Sequence, residues 1–149
     1  MAAMHVPDDF KEFLKLLNGH QVKYLLIGGY AVAHYGYPRA TADMDVWVER
    51  SPENARKVAA ALKDFGFATP DVVPELFLEE DRIIRMGTPP LRLKIWTSIS
   101  GVEFEAAFEA KSTESIDGVR VFIISLDMLK QNKRASGRHK DLDDLEHLP

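Results

Sequence analysis

At 149 residues the chain is near the commonest size of one domain and can enclose a sizeable apolar core, so a single domain spanning 1–149 is expected. Apolar residues supply 46% of it and charged ones 28%, which excludes a disordered chain, and the absence of cysteine excludes disulfides, thiolate nucleophiles and cysteine-ligated zinc. The net charge of −4 argues against a protein that coats duplex nucleic acid, while leaving room for a local basic cluster that grips phosphate.

Phe10, Phe13, Leu14 and Leu17 recur at helical spacing behind Pro7 and two aspartates, and Asn18 with Gly19 supplies the stop. Val22 to Ile27 reads as a short buried strand that ends abruptly at Gly28 and Gly29. A short helix over Tyr30 to Tyr35 follows, closed by Gly36. Asp43 to Val48 alternates, with Met44, Val46 and Val48 on one face and Asp43, Asp45 and Trp47 on the other. Ser51, Pro52 and Glu53 open a helix that runs through Val58, Ala59, Leu62 and Phe65 to Gly66. Phe77 and the Ile83 to Met86 stretch predict a hairpin-like pair of strands, Leu91 to Trp96 and Val119 to Ile124 two further strands. Ser125 caps a helix through Met128 and Leu129, and Leu142 with Leu145 marks a last one. The class expected is α/β (α+β), a mixed sheet flanked by helices. Its longest apolar runs are too short to cross a bilayer, so a cytoplasmic protein without a membrane partner is expected.

Two features carry chemistry. A strand ending in Gly28-Gly29 leaves backbone amides uncovered at a helix start, where they can bond a phosphate. Alone, such a pair is more often a tight turn. Asp43 and Asp45, two apart on a strand, lie about 7 Å apart on the same side and can converge on a hard cation such as Mg²⁺ or Mn²⁺. The plain alternative is an acidic edge strand facing solvent. The two features in succession outweigh either one alone.

The order Gly28-Gly29, a short helix, then Arg39, Thr41, Asp43 and Asp45 resembles the DNA polymerase β-type nucleotidyltransferase superfamily. Within it, Ile27 to Gly36 with Arg39 to Val46, Thr97 to Val102 with Phe104-Glu105, and Lys133 to Arg138 with Lys140 to Leu142 and Asp144 look like small bacterial members related to toxin–antitoxin and abortive-infection nucleotidyltransferases. The resemblance implies a nucleotidyltransferase fold and a nucleoside triphosphate held by Gly28 and Gly29. It makes Asp43 and Asp45 the metal-binding and catalytic carboxylates, and brings Lys133 or Arg138 to the phosphates. The reaction implied is transfer of a nucleoside monophosphate to a hydroxyl of RNA, protein or a small molecule, with pyrophosphate released. Arg39 and Thr41 either orient the loop or touch the nucleotide. Lys133, Arg134, Arg138 and Lys140 have solvated helix surface as their alternative.

One position departs from the pattern. Active members carry a third carboxylate on a later strand, and the segment from Leu91 to Ser98 places Lys94 there. A charged lysine cannot ligate Mg²⁺ and instead competes with the cation or pairs with Asp43 and Asp45. The second expectation is therefore a catalytically impaired relative that binds nucleotide as an interaction module or toxin–antitoxin component. Glu103 and Glu105 follow a turn and are expected on the surface, and no histidine spacing suggests zinc.

Overall fold

The computed structural model describes residues 6–38, 41–88, 90 and 92–149. Its centre is a six-stranded mixed sheet made of β1 (Tyr24–Ile27), β2 (Asp43–Val48), β3 (Ile83–Met86), β4 (Arg92–Trp96), β5 (Ser112–Ile116) and β6 (Val119–Ile123), in the order β3-β4-β2-β1-β6-β5. The helices are α1 (Asp8–Gly19), α2 (Gly28–His34), α3 (Pro52–Phe65), α4 (Phe104–Glu109), α5 (Leu126–Ser136) and α6 (His139–His147). This is the expected mixed sheet with flanking helices.

Local chemistry sets the boundaries. The Ser51 hydroxyl accepts from the Asn54 amide, Pro52 occupies the first turn of α3, and Gly66 at φ 118° closes it, with the Phe67 amide bonded back to the Leu62 carbonyl. Ser125 caps α5 in the same way through the Met128 amide, and Gly137 at φ 65° ends it. Buried Asn54 ties α3 to the start of β1 and the end of β2: it accepts from the Lys23 amide at 2.8 Å and donates to the Lys23 and Glu49 carbonyls. Phe13 of α1 meets Phe65 of α3 at 5.3 Å between ring centroids.

One expectation needs correction. Phe77 lies in a 3₁₀ turn, Pro74–Phe77, and the hairpin is β3 with β4. Proline at the first position of that turn and a buried Phe77 anchoring it explain why an apolar residue there mimics a strand. The alternative of an acidic edge strand does not hold: β2 pairs antiparallel with β1 and parallel with β4, so it lies inside the sheet. Strand β5 and helix α4 complete the fold without having been foreseen.

The pairing register determines what shares a face. Ile27 lies opposite Asp45, Asp45 opposite Lys94, and Lys94 opposite Arg85, which forms one row across β1, β2, β4 and β3. The neighbouring row on that face is Leu25, Trp47, Trp96 and Ile83. Leu26, Val46, Ile95 and Ile84 form a row on the opposite, apolar face.

Candidate functional site

Beside the Ile27 to Arg85 row opens a cleft of about 410 Å³. Gly28, Gly29 and Asp45 form its floor. Arg85, Lys94 and Trp96 come from the sheet, Ile99 and Ser100 from the following turn, and Lys133, Arg138, Lys140 and Asp141 from α5, α6 and the link between them. Gln131 and Asn132 of α5 hold that turn by donating to the Gly101 and Ser100 carbonyls at 2.6 and 3.0 Å.

The glycine corner and the acidic strand meet. Gly28 has φ +67°, a backbone shape that glycine adopts readily, and a Cβ built there would stand 2.3 Å from Asp45 Oδ2. Asp45 in turn accepts a hydrogen bond from Trp96 Nε1 at 2.9 Å. Burial raises the Asp45 carboxyl above the usual aspartate range against the lowering pull of Trp96 and Lys94.

Asp43 is engaged differently. Arg92 grips it with both arms, Nε to Oδ1 at 3.0 Å and a terminal nitrogen to Oδ2 at 2.9 Å, while Lys94 Nζ stands 3.3 Å from Oδ2. The Arg92 hydrogen bonds, with help from Lys94, hold its carboxyl below the ordinary range. Asp43 is also absent from the cleft lining, so only one of the two aspartates faces the open volume. The Thr41 hydroxyl donates to the Asp43 carbonyl at 3.1 Å and serves as a local strap at the start of β2. Arg39 lies outside the described residues.

The two cations expected on the C-terminal helices have distinct settings. Lys133 is 5% exposed, its ammonium 3.0 Å from both Asp141 Oδ1 and Asp144 Oδ2, each aspartate 1% exposed. Arg138 is largely exposed at the cleft rim and donates from Nε to Asp141 Oδ2 at 2.8 Å. Burial works against the ionised Asp141, but hydrogen bonds from Arg138, Ser136 and Lys133 outweigh it and bring the group from 3.8 down to about 2. A depressed carboxyl contributes stability that is complete above the unfolded value and fades as pH falls from about 4 towards 2. Asp141→Asn should therefore cost on the order of 2 kcal/mol in urea unfolding at pH 6 and almost nothing at pH 2. An equal cost at both pH values would contradict this assignment.

A divalent cation of the Mg²⁺ kind requires free, converging oxygen donors. Asp43 and Asp45 are oxygen donors, but both Asp43 oxygens already accept from cations, and Lys94 stands in register beside Asp45 where a third carboxylate is expected. No group of three acidic or histidine side chains capable of holding a metal occurs among the described residues. This donor set does not fit a Mg²⁺ site of the two-metal kind.

Sequence reasoning did not single out Arg92, Trp96 or Arg85. The alternation of Arg92, Lys94 and Trp96 with apolar residues did signal a strand, but only the β2–β4 register shows that these side chains meet Asp43 and Asp45. Glu103 and Glu105 are exposed, as expected.

The fold is that of nucleotidyltransferases. A candidate nucleotidyltransferase from Thermotoga maritima superposes with a TM-score of 0.61 at 15% identity, covering 92% of this chain and 88% of that one. An antigenic nucleotidyltransferase-like protein from Paracoccidioides brasiliensis gives 0.56 at 14% identity, covering 92% of this chain and 72% of that one. A sequence profile of the aminoglycoside-2''-adenylyltransferase family matches residues 9–148, and the chain belongs to that family. No curated protein sequence matches it significantly. The superfamily expected from the sequence is thereby established. Among the described residues no helix is long and apolar enough to cross a membrane.

Proposed function

We propose that the cleft binds a nucleoside triphosphate and that the chain transfers its nucleoside monophosphate to a hydroxyl of an acceptor, releasing pyrophosphate. The observation that carries this reading is the left-handed Gly28 packed against Asp45, at the start of α2 and beneath a cleft with more cations than carboxylates. Backbone amides at the corner suit phosphate oxygens, and Arg138, Lys140 and Arg85 supply positive charge around them. Family membership supports nucleotidyl transfer as the reaction class. The acceptor is an RNA, a protein or a small molecule, and the family's name makes an aminoglycoside the first to try. A Mg²⁺ or Mn²⁺ ion on Asp43 and Asp45 would neutralise phosphate charge, but the pair does not fit one while Arg92 and Lys94 occupy Asp43. Asp43 would first have to leave Arg92 and Lys94.

That last condition favours a second reading. With Asp43 clasped at both oxygens, the chain keeps nucleotide affinity and loses turnover, and works as an interaction module or as one component of a toxin–antitoxin pair. Incubation with α-labelled triphosphates, Mg²⁺ and an aminoglycoside or total RNA separates the two. Transfer abolished by Asp43→Ala with Asp45→Ala supports the first reading, and label that persists in that double variant refutes it. No label in the wild-type chain, but label after Lys94→Asp, supports the second.

A further inference from the structure

The mismatch between the acidic pair and a divalent ion has a positive side. We infer that the chain supplies its own counter-charge for the phosphates: the Lys94 ammonium, with Arg85 beside it, takes the place of a metal ion, so that nucleotide binding needs no divalent cation. This rests on the cleft being a nucleotide site and specifies how that site is neutralised.

The argument starts from the row across the sheet. Asp45, Lys94 and Arg85 are direct neighbours on β2, β4 and β3, all facing the cleft, and Asp45 touches the Gly28 corner. In a metal-dependent arrangement, carboxylates would converge on cations that bridge to phosphate. Here the position opposite Asp45 carries a fixed positive charge, and that ammonium already lies 3.3 Å from the second carboxylate. A divalent ion entering between Asp43 and Asp45 would stand against this ammonium and would also have to displace the two-armed Arg92 bond.

The charge count around the pair supports the same conclusion. Arg92 and Lys94 balance Asp43 and Asp45 with no ion present, and Arg85 makes no ion pair with any other described residue. The cleft as a whole carries five basic side chains against two carboxylates. Lys133 and Arg138 bond Asp141 and Lys94 stands 3.3 Å from Asp43, and Arg85 still adds positive charge beside the cleft's other carboxylate, Asp45. Such a cleft attracts a free triphosphate more strongly than one whose charge is already half cancelled by Mg²⁺. Magnesium should therefore leave affinity unchanged or weaken it.

Titration calorimetry on the full chain tests this with ATP, GTP, CTP, UTP and inorganic tripolyphosphate, each in EDTA and in Mg²⁺. The expected result is that the tightest of them binds in EDTA at least as well as in Mg²⁺. Lys94→Met, which keeps the apolar stem, should weaken binding in EDTA by about tenfold, the loss of one charge-assisted bond. Lys94→Asp should lose more in EDTA and recover only when Mg²⁺ or Mn²⁺ is added. Wild-type binding that requires Mg²⁺, or Lys94→Met binding as tightly as wild type in EDTA, overturns the inference and leaves the nucleotide site standing. Absence of binding by all five ligands in both buffers overturns the site itself.

Discussion

Replacing Lys133 by methionine is expected to lower unfolding stability by about 3–5 kcal/mol, the largest single effect foreseen for this chain. The substitution conserves the volume of the stem but leaves Asp141 and Asp144, both nearly inaccessible to solvent, without the ammonium 3.0 Å from each. Arg138 and Ser136 still reach Asp141, while Asp144 loses the ammonium 3.0 Å from it. The control is the triple change Lys133→Met, Asp141→Leu, Asp144→Leu, which removes the buried charges together and should recover most of the loss, because an apolar replacement of a buried ion cluster is often near neutral. Urea unfolding of both variants decides the matter. A loss under about 1 kcal/mol for Lys133→Met would mean that the cluster is solvated and does not clamp α5 to α6. The same experiment bears on the role expected for Lys133 as a phosphate ligand. Its ammonium lines the cleft but is bonded to two internal partners, so any effect on nucleotide affinity should come with a loss of stability.

Gly28→Ala is expected to reduce nucleotide affinity by at least about 100-fold, roughly the value of two charge-assisted hydrogen bonds. The added carbon would meet Asp45 at Oδ2, Cγ and Cβ at 2.3, 2.8 and 2.9 Å. Asp45 has little room to yield, because rotating its carboxylate breaks the bond from Trp96. The left-handed backbone adds about 1–2 kcal/mol of strain for any residue with a side chain. Gly19→Ala serves as the comparison: nothing lies within 4 Å of the carbon it would add, and its stability should stay within about 0.5 kcal/mol of wild type. Calorimetry with the triphosphate that binds the wild-type chain tightest gives the readout. Unchanged affinity in Gly28→Ala would show that phosphate is held elsewhere.

The parts of the site that were legible in the sequence are those in which composition and spacing act locally. A buried strand cut off by two glycines had to turn sharply, and two aspartates at alternate positions had to share a face, so Gly28 and Asp45 could be expected near one another. Lys94 stood out through the family resemblance instead, since active members carry a carboxylate at that place on the strand. What stayed hidden depends on contacts between distant segments. Arg92 and Trp96 looked like the polar side of an ordinary strand until β4 was seen to lie parallel to β2, a pairing reached only after α3, the Pro74–Phe77 turn and β3. The split fate of the two aspartates was equally invisible: Asp43 is turned to Arg92 and Lys94, Asp45 to Trp96 and the glycine corner. Lys133 and Arg138 read alike as helix-surface cations, yet packing of α6 on α5 buries one and exposes the other.

The β2–β4 register also bears on how the chain finds its fold. Parallel strands with alternating apolar residues tolerate a slip of two positions, because every side chain then keeps its face. A shift of two positions in one direction would set Asp43 against Lys94 and Asp45 against Trp96, and in the other Asp45 against Arg92, so each misaligned ladder leaves a charge with no opposite number beside it. The cations that crowd the acidic pair thus act as a vernier during assembly. Variants made acidic at Lys94 to invite metal would have a less certain alignment and should refold more slowly.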